Sequence, residues 1–233
     1  MTTSTALPPT SQPAAAAVAG AAPLPPDWQP VPEFQRATDR VTLEQVAERL
    51  RERNFGPVIV DSAEEARDEV LKRLPDGAEV HTAKSRTLEE MGVFGELMGS
   101  ERWDMVRHKT MAMDRKTQMR EIRKIQAAPD VMIGSVQAVT ESGQMVVASA
   151  AGSQIGPYSG AAGQLILVVG SQKIVPDLET ALRRITEHVQ PYEDLRLREQ
   201  IGMGTFVARI LIMERDYVPG RTTVILVREP VGI

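Results

Sequence analysis

Residues 130–178 read DVMIGSVQAVTESGQMVVASAAGSQIGPYSGAAGQLILVVGSQKIVPDL. Three strand-like runs lie in this stretch: Val131 to Val139, Gln144 to Ala148, and Leu165 to Val169. The last, LILVV, has no polar break, which predicts a strand covered on both faces; a half-exposed strand alternates instead. A polar turn, Thr140-Glu141-Ser142-Gly143, joins the first two runs, and a loop containing Gly152, Gly156, Gly160 and Gly163 leads to the third. Pro176 and Asp177 then open a helix, since proline fits a first helical turn and aspartate there meets the positive end of the dipole. The spacing places Leu178, Leu182, Ile185 and Val189 on its inner face.

Working outward, three segments have the Ser/Thr-x-x-Glu/Gln form of a capping box: Thr42 to Gln45, Ser62 to Glu65 and Thr87 to Glu90. The helices they open have apolar faces at Leu43, Val46, Ala47 and Leu50, then Ala66, Val70, Leu71 and Leu74, then Leu88, Met91, Phe94 and Leu97. Short β runs lie beside them at Val58 to Val60 and Glu79 to Ala83. Thr117 to Ala127 and Tyr192 to Gln200 read as further helices, and Ala208 to Met213 and Thr223 to Val227 as strands too far apart for a tight hairpin. Helices alternating with short strands predict an α/β fold, a mostly parallel sheet with helices on both faces.

The composition of residues 1–35, rich in Ala, Pro, Thr and Ser, predicts a disordered leader, because it offers too little apolar surface to offset chain entropy. Residues 36–233 then form a single domain. No stretch has the length of apolar sequence that a membrane helix needs, and with no export signal the cytoplasm is the default compartment. The 27 basic and 31 acidic residues give a formal charge of -4, which does not suggest a nucleic-acid partner. The one basic cluster, Arg115 to Lys124, alternates with Met119, Ile122 and Ile125 and reads as a solvated helix face rather than a phosphate-binding stripe. There is no cysteine, and His81, His108 and His188 are scattered, so neither thiolate chemistry nor a metal site is predicted.

Glu141 is the sharpest candidate for chemistry, with Thr140, Ser142 and Gly143 around it. It follows a buried-type strand, and open α/β sheets place ligand crevices at strand carboxyl ends. Acyl transfer, proton transfer or a hydrogen bond to a ligand are open to such a carboxylate; an ordinary turn acid is the competing reading. In the loop that follows, Gly152, Ser153 and Gly156 could present backbone N–H groups to an anion, and Tyr158 could contact a bound organic group or plug the site. The loop lacks the spacing of a P-loop or a dinucleotide fingerprint. Lys173, ahead of the Pro176 helix, could supply a positive charge, and Lys84 and Ser85 occupy a similar strand-to-helix position.

The succession SVQAVTESGQMVV, then LILVVGSQKIVPDLETAL, resembles the LUD-domain family, which includes the lactate-utilisation protein C group. Glu141 and Gly143 match its acid-and-glycine turn, with Ser142 in place of the more usual threonine, and Ile174 and Val175 match its helix entrance. HTAKSRTLEEMGV is similar to its lysine-serine segment at Lys84, Ser85, Glu89, Glu90 and Gly92. The resemblance covers Val58 to Val227. It implies a fold similar to the sugar-phosphate isomerase and CoA-transferase superfamily, and a role in or beside lactate oxidation, with iron–sulfur oxidoreductase proteins as partners. The leading expectation is therefore a protein binding a small anionic metabolite near Glu141, the glycine loop and Lys173. CoA or acyl transfer through a Glu141 nucleophile, with CoA or a related anion bound, and a noncatalytic role in an oxidoreductase complex are the alternatives. No cofactor is predicted, and the chain itself has no cysteines to hold an iron–sulfur centre.

Overall fold

The structure, a computed structural model, describes residues 28–233, so the expected leader lies outside the described residues as far as residue 27. In chain order the elements are α1 (Arg40–Glu52), β1 (Gly56–Val60), α2 (Ala63–Lys72), β2 (Glu79–Thr82), α3 (Arg86–Glu90), α4 (Val93–Gly99), β3 (Asp104–Met105), α5 (Val106–Met111) and α6 (Met119–Ala127). There follow β4 (Val131–Gly134), β5 (Ala138–Thr140), β6 (Met145–Ser149), β7 (Gln164–Gly170), β8 (Ile174–Val175), α7 (Leu178–Arg184), α8 (Gln190–Ile201), β9 (Arg209–Met213) and β10 (Thr222–Val227).

Six strands form a parallel sheet in the order β1-β10-β7-β4-β2-β3. The apolar run Leu165 to Val169 lies in β7, between β10 and β4, and is buried throughout. Successive side chains alternate across it, as the two-residue period of a strand requires. Leu165, Leu167 and Val169 pack with Leu43, Val46 and Leu50 of α1 and with Met145 and Val147 of β6. Ile166 and Val168 pack with Val70 of α2, Leu88 of α3 and Leu97 of α4. The parallel sheet is thus covered on both faces, one of them shared by a helix and a second sheet. That second sheet has the order β8-β5-β6-β9 and is antiparallel except for the β5–β8 pair. Its outer side, at Ala138, Val146 and Val175, is closed by Ala181, Ile185 and Phe34.

Several local expectations change in the fold. The run Val131 to Val139 is two strands in two sheets, β4 and β5, separated by Ser135, Val136 and Gln137. The cause is Tyr158: its hydroxyl accepts from the Ser135 N–H at 3.1 Å and donates to the Ser135 carbonyl at 3.2 Å, occupying groups that would otherwise extend the ladder. Asp39, not Thr42, caps α1, accepting from the backbone N–H of Val41 and Thr42. The Ser62 cap forms as expected, with its hydroxyl accepting from the Glu65 N–H at 3.2 Å. The third helix is broken at Gly92, which takes φ 73° and divides α3 from α4. On α7 the buried residues are Ala181 and Arg184, followed by Ile185, His188 and Val189 in a π-helical turn, while Leu182 turns out to solvent. The widened turn carries the stripe away from the simple helical period. Phe34, assigned to the leader by composition, is 3% exposed and packs under α7, so packed structure begins ahead of residue 36.

Gly134 ends β4 where the Tyr158 ring passes, and a Cβ there would overlap the Tyr158 hydroxyl. Gly134→Ala is therefore expected to destabilise the protein by about 1–3 kcal/mol in urea unfolding, through overpacking. Gly95, in the interior of α4 with nothing within contact distance of an added Cβ, is the control. Gly95→Ala should be neutral or stabilising by up to about 1 kcal/mol; equal losses at both sites would refute the packing account.

Candidate functional site

The strands β2, β4 and β7 run parallel, so their carboxyl ends emerge on one edge of the sheet, the edge where α/β folds form crevices. A cavity of about 230 Å³ lies there. Its floor is Lys173, the last residue of a short 3₁₀ turn after β7, and only 2% exposed. The Lys173 Nζ donates to Thr87 Oγ1 at 2.7 Å and to Ser135 Oγ at 2.9 Å. Thr87 arrives from the helix that follows β2, and Ser135 from the end of β4. The three strand ends therefore meet on one amino group. The Thr87 hydroxyl donates onward to Ser135 Oγ and the Ser135 hydroxyl to the Val136 carbonyl, both at 3.3 Å, which leaves their lone pairs for the lysine.

Burial pushes the Lys173 pKa down to about 7, and the Arg184 charge adds to the effect while Glu90 opposes it. Arg184 is itself fully buried, donating from Nη1 to the Gln137 carbonyl at 2.6 Å, and burial lowers its pKa to about 10. Gln137 is held in turn by the Ala148 N–H, which donates to its Oε1 at 2.8 Å. Around the cavity stand Lys84, Arg86 and Arg196, with Glu193 as the one acidic side chain in its lining among the described residues. Arg196 pairs with Glu193 at 2.7 Å and Glu89 at 3.6 Å, and Arg86 with Glu90 at 2.8 Å. Lys84 is exposed. Two hydroxyls can support Lys173 either as a neutral amine, which is a base or a nucleophile, or as an ammonium, which binds an anion.

Of the residues singled out in the sequence, Lys84, Ser85, Ser153 and Lys173 line this cavity. Gly152 takes φ 79° beside it, and its N–H donates to Ser149 Oγ at 2.9 Å, supporting the wall without entering it. Glu141 is exposed on its turn and, with Thr140, Ser142 and Gly143, is not brought to the cavity. That turn is tied to other parts of the fold. The Glu141 N–H donates to the Val175 carbonyl at 2.8 Å, Arg53 Nε donates to the Ser142 carbonyl at 2.7 Å, and Gly143, at φ 87°, lies against the Arg49 backbone. The Thr140 hydroxyl is spent on Ser142 Oγ at 2.8 Å. Gly156 lies near the Ala127 carbonyl, and Tyr158 is the plug behind Gly134, its phenol pKa raised by burial. Thr87, Ser135, Gln137, Glu193 and Arg196 were not among the expected residues. The hydroxyl of Ser135, directly after the glycine that ends a buried strand, was the one local signal; the others depend on which elements pack together.

A family model described as the LUD domain matches residues 43–227. The chain belongs to the LUD-domain family. Among solved structures, a DUF162 family protein from Deinococcus radiodurans is similar to this LUD protein with a TM-score of 0.46 and 12% identity, over 82% of this chain and 99% of that one. A ribose-5-phosphate isomerase in complex with phospho-erythronic acid is similar with a TM-score of 0.34 and 18% identity, over 50% of this chain and 54% of that one. No curated protein matches the chain. In this LUD domain the lysine-serine segment forms the cavity wall at Lys84 and Ser85. The acids after it build the frame: Glu89 holds Arg196, and Glu90 accepts from the Gly232 N–H at 2.5 Å.

A lysine whose pKa falls from its ordinary value near 10.4 to about 7 on folding binds fewer protons folded than unfolded between those two pH values. Stability then rises with pH across that window, is fully gained above it, and is lost as pH falls through 7. The unfolding free energy of the native protein, measured against Lys173→Met in denaturant at pH 6 to 10, should therefore increase with pH between about 7 and 10. A flat difference would show that Lys173 keeps an ordinary pKa.

Proposed function

We propose that this LUD-domain protein binds a small anionic organic metabolite in the Lys173 cavity, in or beside lactate-type organic-acid utilisation. The observation that carries this reading is a buried lysine whose amino group touches two hydroxyls and, among the described residues, no carboxylate, at the floor of a cavity with basic groups around it. A carboxylate ligand would supply the missing counter-charge. A buried ammonium lacking such a partner is costly, and the depressed pKa is the protein's response to that cost. Lys84 and Ser85 would meet the outer part of the ligand, and the Ser149 to Gln154 segment its side.

The rival reading, CoA or acyl transfer through a Glu141 nucleophile, draws no support from the polar groups around Lys173, because Glu141 belongs to a turn outside that cavity. A role beside an iron–sulfur oxidoreductase partner would use a different surface; Ile210 and Ile212 of β9, 45% and 38% exposed, are apolar groups available for it.

Thermal unfolding with lactate, pyruvate, a CoA ester and a sugar phosphate tests the proposal, since a ligand that prefers the folded state raises apparent stability, by about 2.7 kcal/mol at a hundred times its Kd. Lactate or pyruvate should raise the unfolding temperature of the native protein and of Glu141→Ala but not of Lys173→Met. Absence of a shift with any of the four at millimolar concentration would sink the metabolite reading. Loss of the shift in Glu141→Ala alone would restore the rival.

A further inference from the structure

A second cavity, of about 110 Å³, lies behind the first and shares Ala83, Lys84, Ser153 and Gln154 with it as a common wall. It is built differently. His81 and Thr82, at the carboxyl end of β2, are 5% and 1% exposed, and His81 Nδ1 and Thr82 Oγ1 have no hydrogen-bond partner. Arg107 of α5 also lines it, held by a cation–π contact with Phe94, 5.0 Å from guanidinium to ring centre, and by a 3.4 Å hydrogen bond from Nη2 to the Thr82 carbonyl; its Nε is unpartnered. Thr110, Arg115 and Gln126 add to the polar lining, and among the described residues no acidic side chain contributes to it. Buried polar groups are ordinarily paired. His81 Nδ1 and Arg107 Nε unpartnered beside one small cavity, a second arginine whose charge adds to the desolvation that lowers the Arg107 pKa, and no carboxylate among the described lining residues together make surroundings that suit an anion.

We propose that this second cavity is an anion subsite for a phosphate group, free or carried on an ester, held by Arg107 and Arg115 with His81 beside them. Arginine presents a planar fork of donors that suits phosphate oxygens, and the two forks come from different segments, α5 and the α5–α6 connection, so each can take a different pair of oxygens. The burial that keeps His81 neutral, holding its pKa near 4 with help from Arg107, leaves its Nδ1 free to accept from a protonated phosphate oxygen or, once an anion is bound, to take up a proton. None of the groups that line this subsite hydrogen-bonds to Lys173, so it can bind an anion whether or not the first cavity does.

Inorganic phosphate titrated into the full chain, with the ring resonances of His81, His108 and His188 followed by NMR, tests the proposal. The His81 resonance should move and saturate, while His188, inside the α7 packing, should not. Arg115→Gln, at an exposed side chain whose loss leaves the fold intact, should weaken phosphate binding about tenfold, Arg107→Gln should abolish it, and Lys173→Met should leave it unchanged. A His81 signal that does not respond at tens of millimolar phosphate overturns the proposal. So does phosphate binding that survives Arg115→Gln undiminished, or that is lost in Lys173→Met alone, which would put the phosphate in the first cavity. A phosphorylated hydroxy acid distinguishes the two sources. If it binds more tightly than phosphate and Lys173→Met removes only the increment, an ester spans both cavities; equal affinities in native protein and variant assign the subsite to free phosphate.

Discussion

The double burial of β7 is the constraint on which the structure depends. A strand whose five central residues are all aliphatic must be covered on both sides, at a gain of roughly 1.5–3 kcal/mol for each side chain buried. One cover is helical, from α2 to α4; the other combines α1 with the second sheet. The strand therefore lies inside the parallel sheet, with β10 and β4 on its flanks. What leaves its carboxyl end leaves into the interior, so the turn that follows, Ser171 to Lys173, is wholly buried. The lysine is deep because the strand is central.

A buried amine changes the electrostatics of its surroundings. The Arg184 guanidinium is also desolvated and close enough to disfavour a charge on Lys173, and among the described residues no carboxylate is in direct contact with either. The acids that are close, Glu89, Glu90 and Glu193, are occupied with Arg86 and Arg196. The Arg196–Glu89 pair ties α3 to α8 at the mouth of the cavity, while the other two lie within one helix each; none of them neutralises the floor. The second cavity repeats the pattern around Arg107 and Arg115. The first cavity sits where β2, β4 and β7 end and the second beside the end of β2, and Lys84 and Ser153 belong to the wall between them.

Much of the architecture was legible in the sequence, because local patterns carry it. The LILVV run and the Ser62 cap depend on neighbours a few residues away and appear as read, and the helix expected after Val175 forms with Asp177 as its cap and Pro176 ahead of it rather than in its first turn. The site was legible in part. Lys84, Ser85, Ser153 and Lys173 follow strands or precede helices, and that position places them at the cavity. Glu141 occupies a formally similar position, yet its strand, β5, belongs to the second sheet, and its turn docks on the end of α1. No local pattern distinguishes the end of a strand in one sheet from the end of a strand in the other.

Thr87 shows the same division on the scale of one hydroxyl. Its spacing to Glu90 suits a helix cap, but Lys173, 86 positions away, takes the hydroxyl instead. Ser135 and Arg184 are likewise given their roles by partners remote in the chain. The sequence by itself determined the alternation of helices and strands, the buried central strand and the family to which the chain belongs, since these rest on periodicity and on short motifs. Only the tertiary structure decided that Lys173 rather than Glu141 faces the cavity at the strand ends and that a second basic cavity adjoins it. Burial, and the absence of a paired charge, are properties of several segments brought together, and no one of those segments contains them.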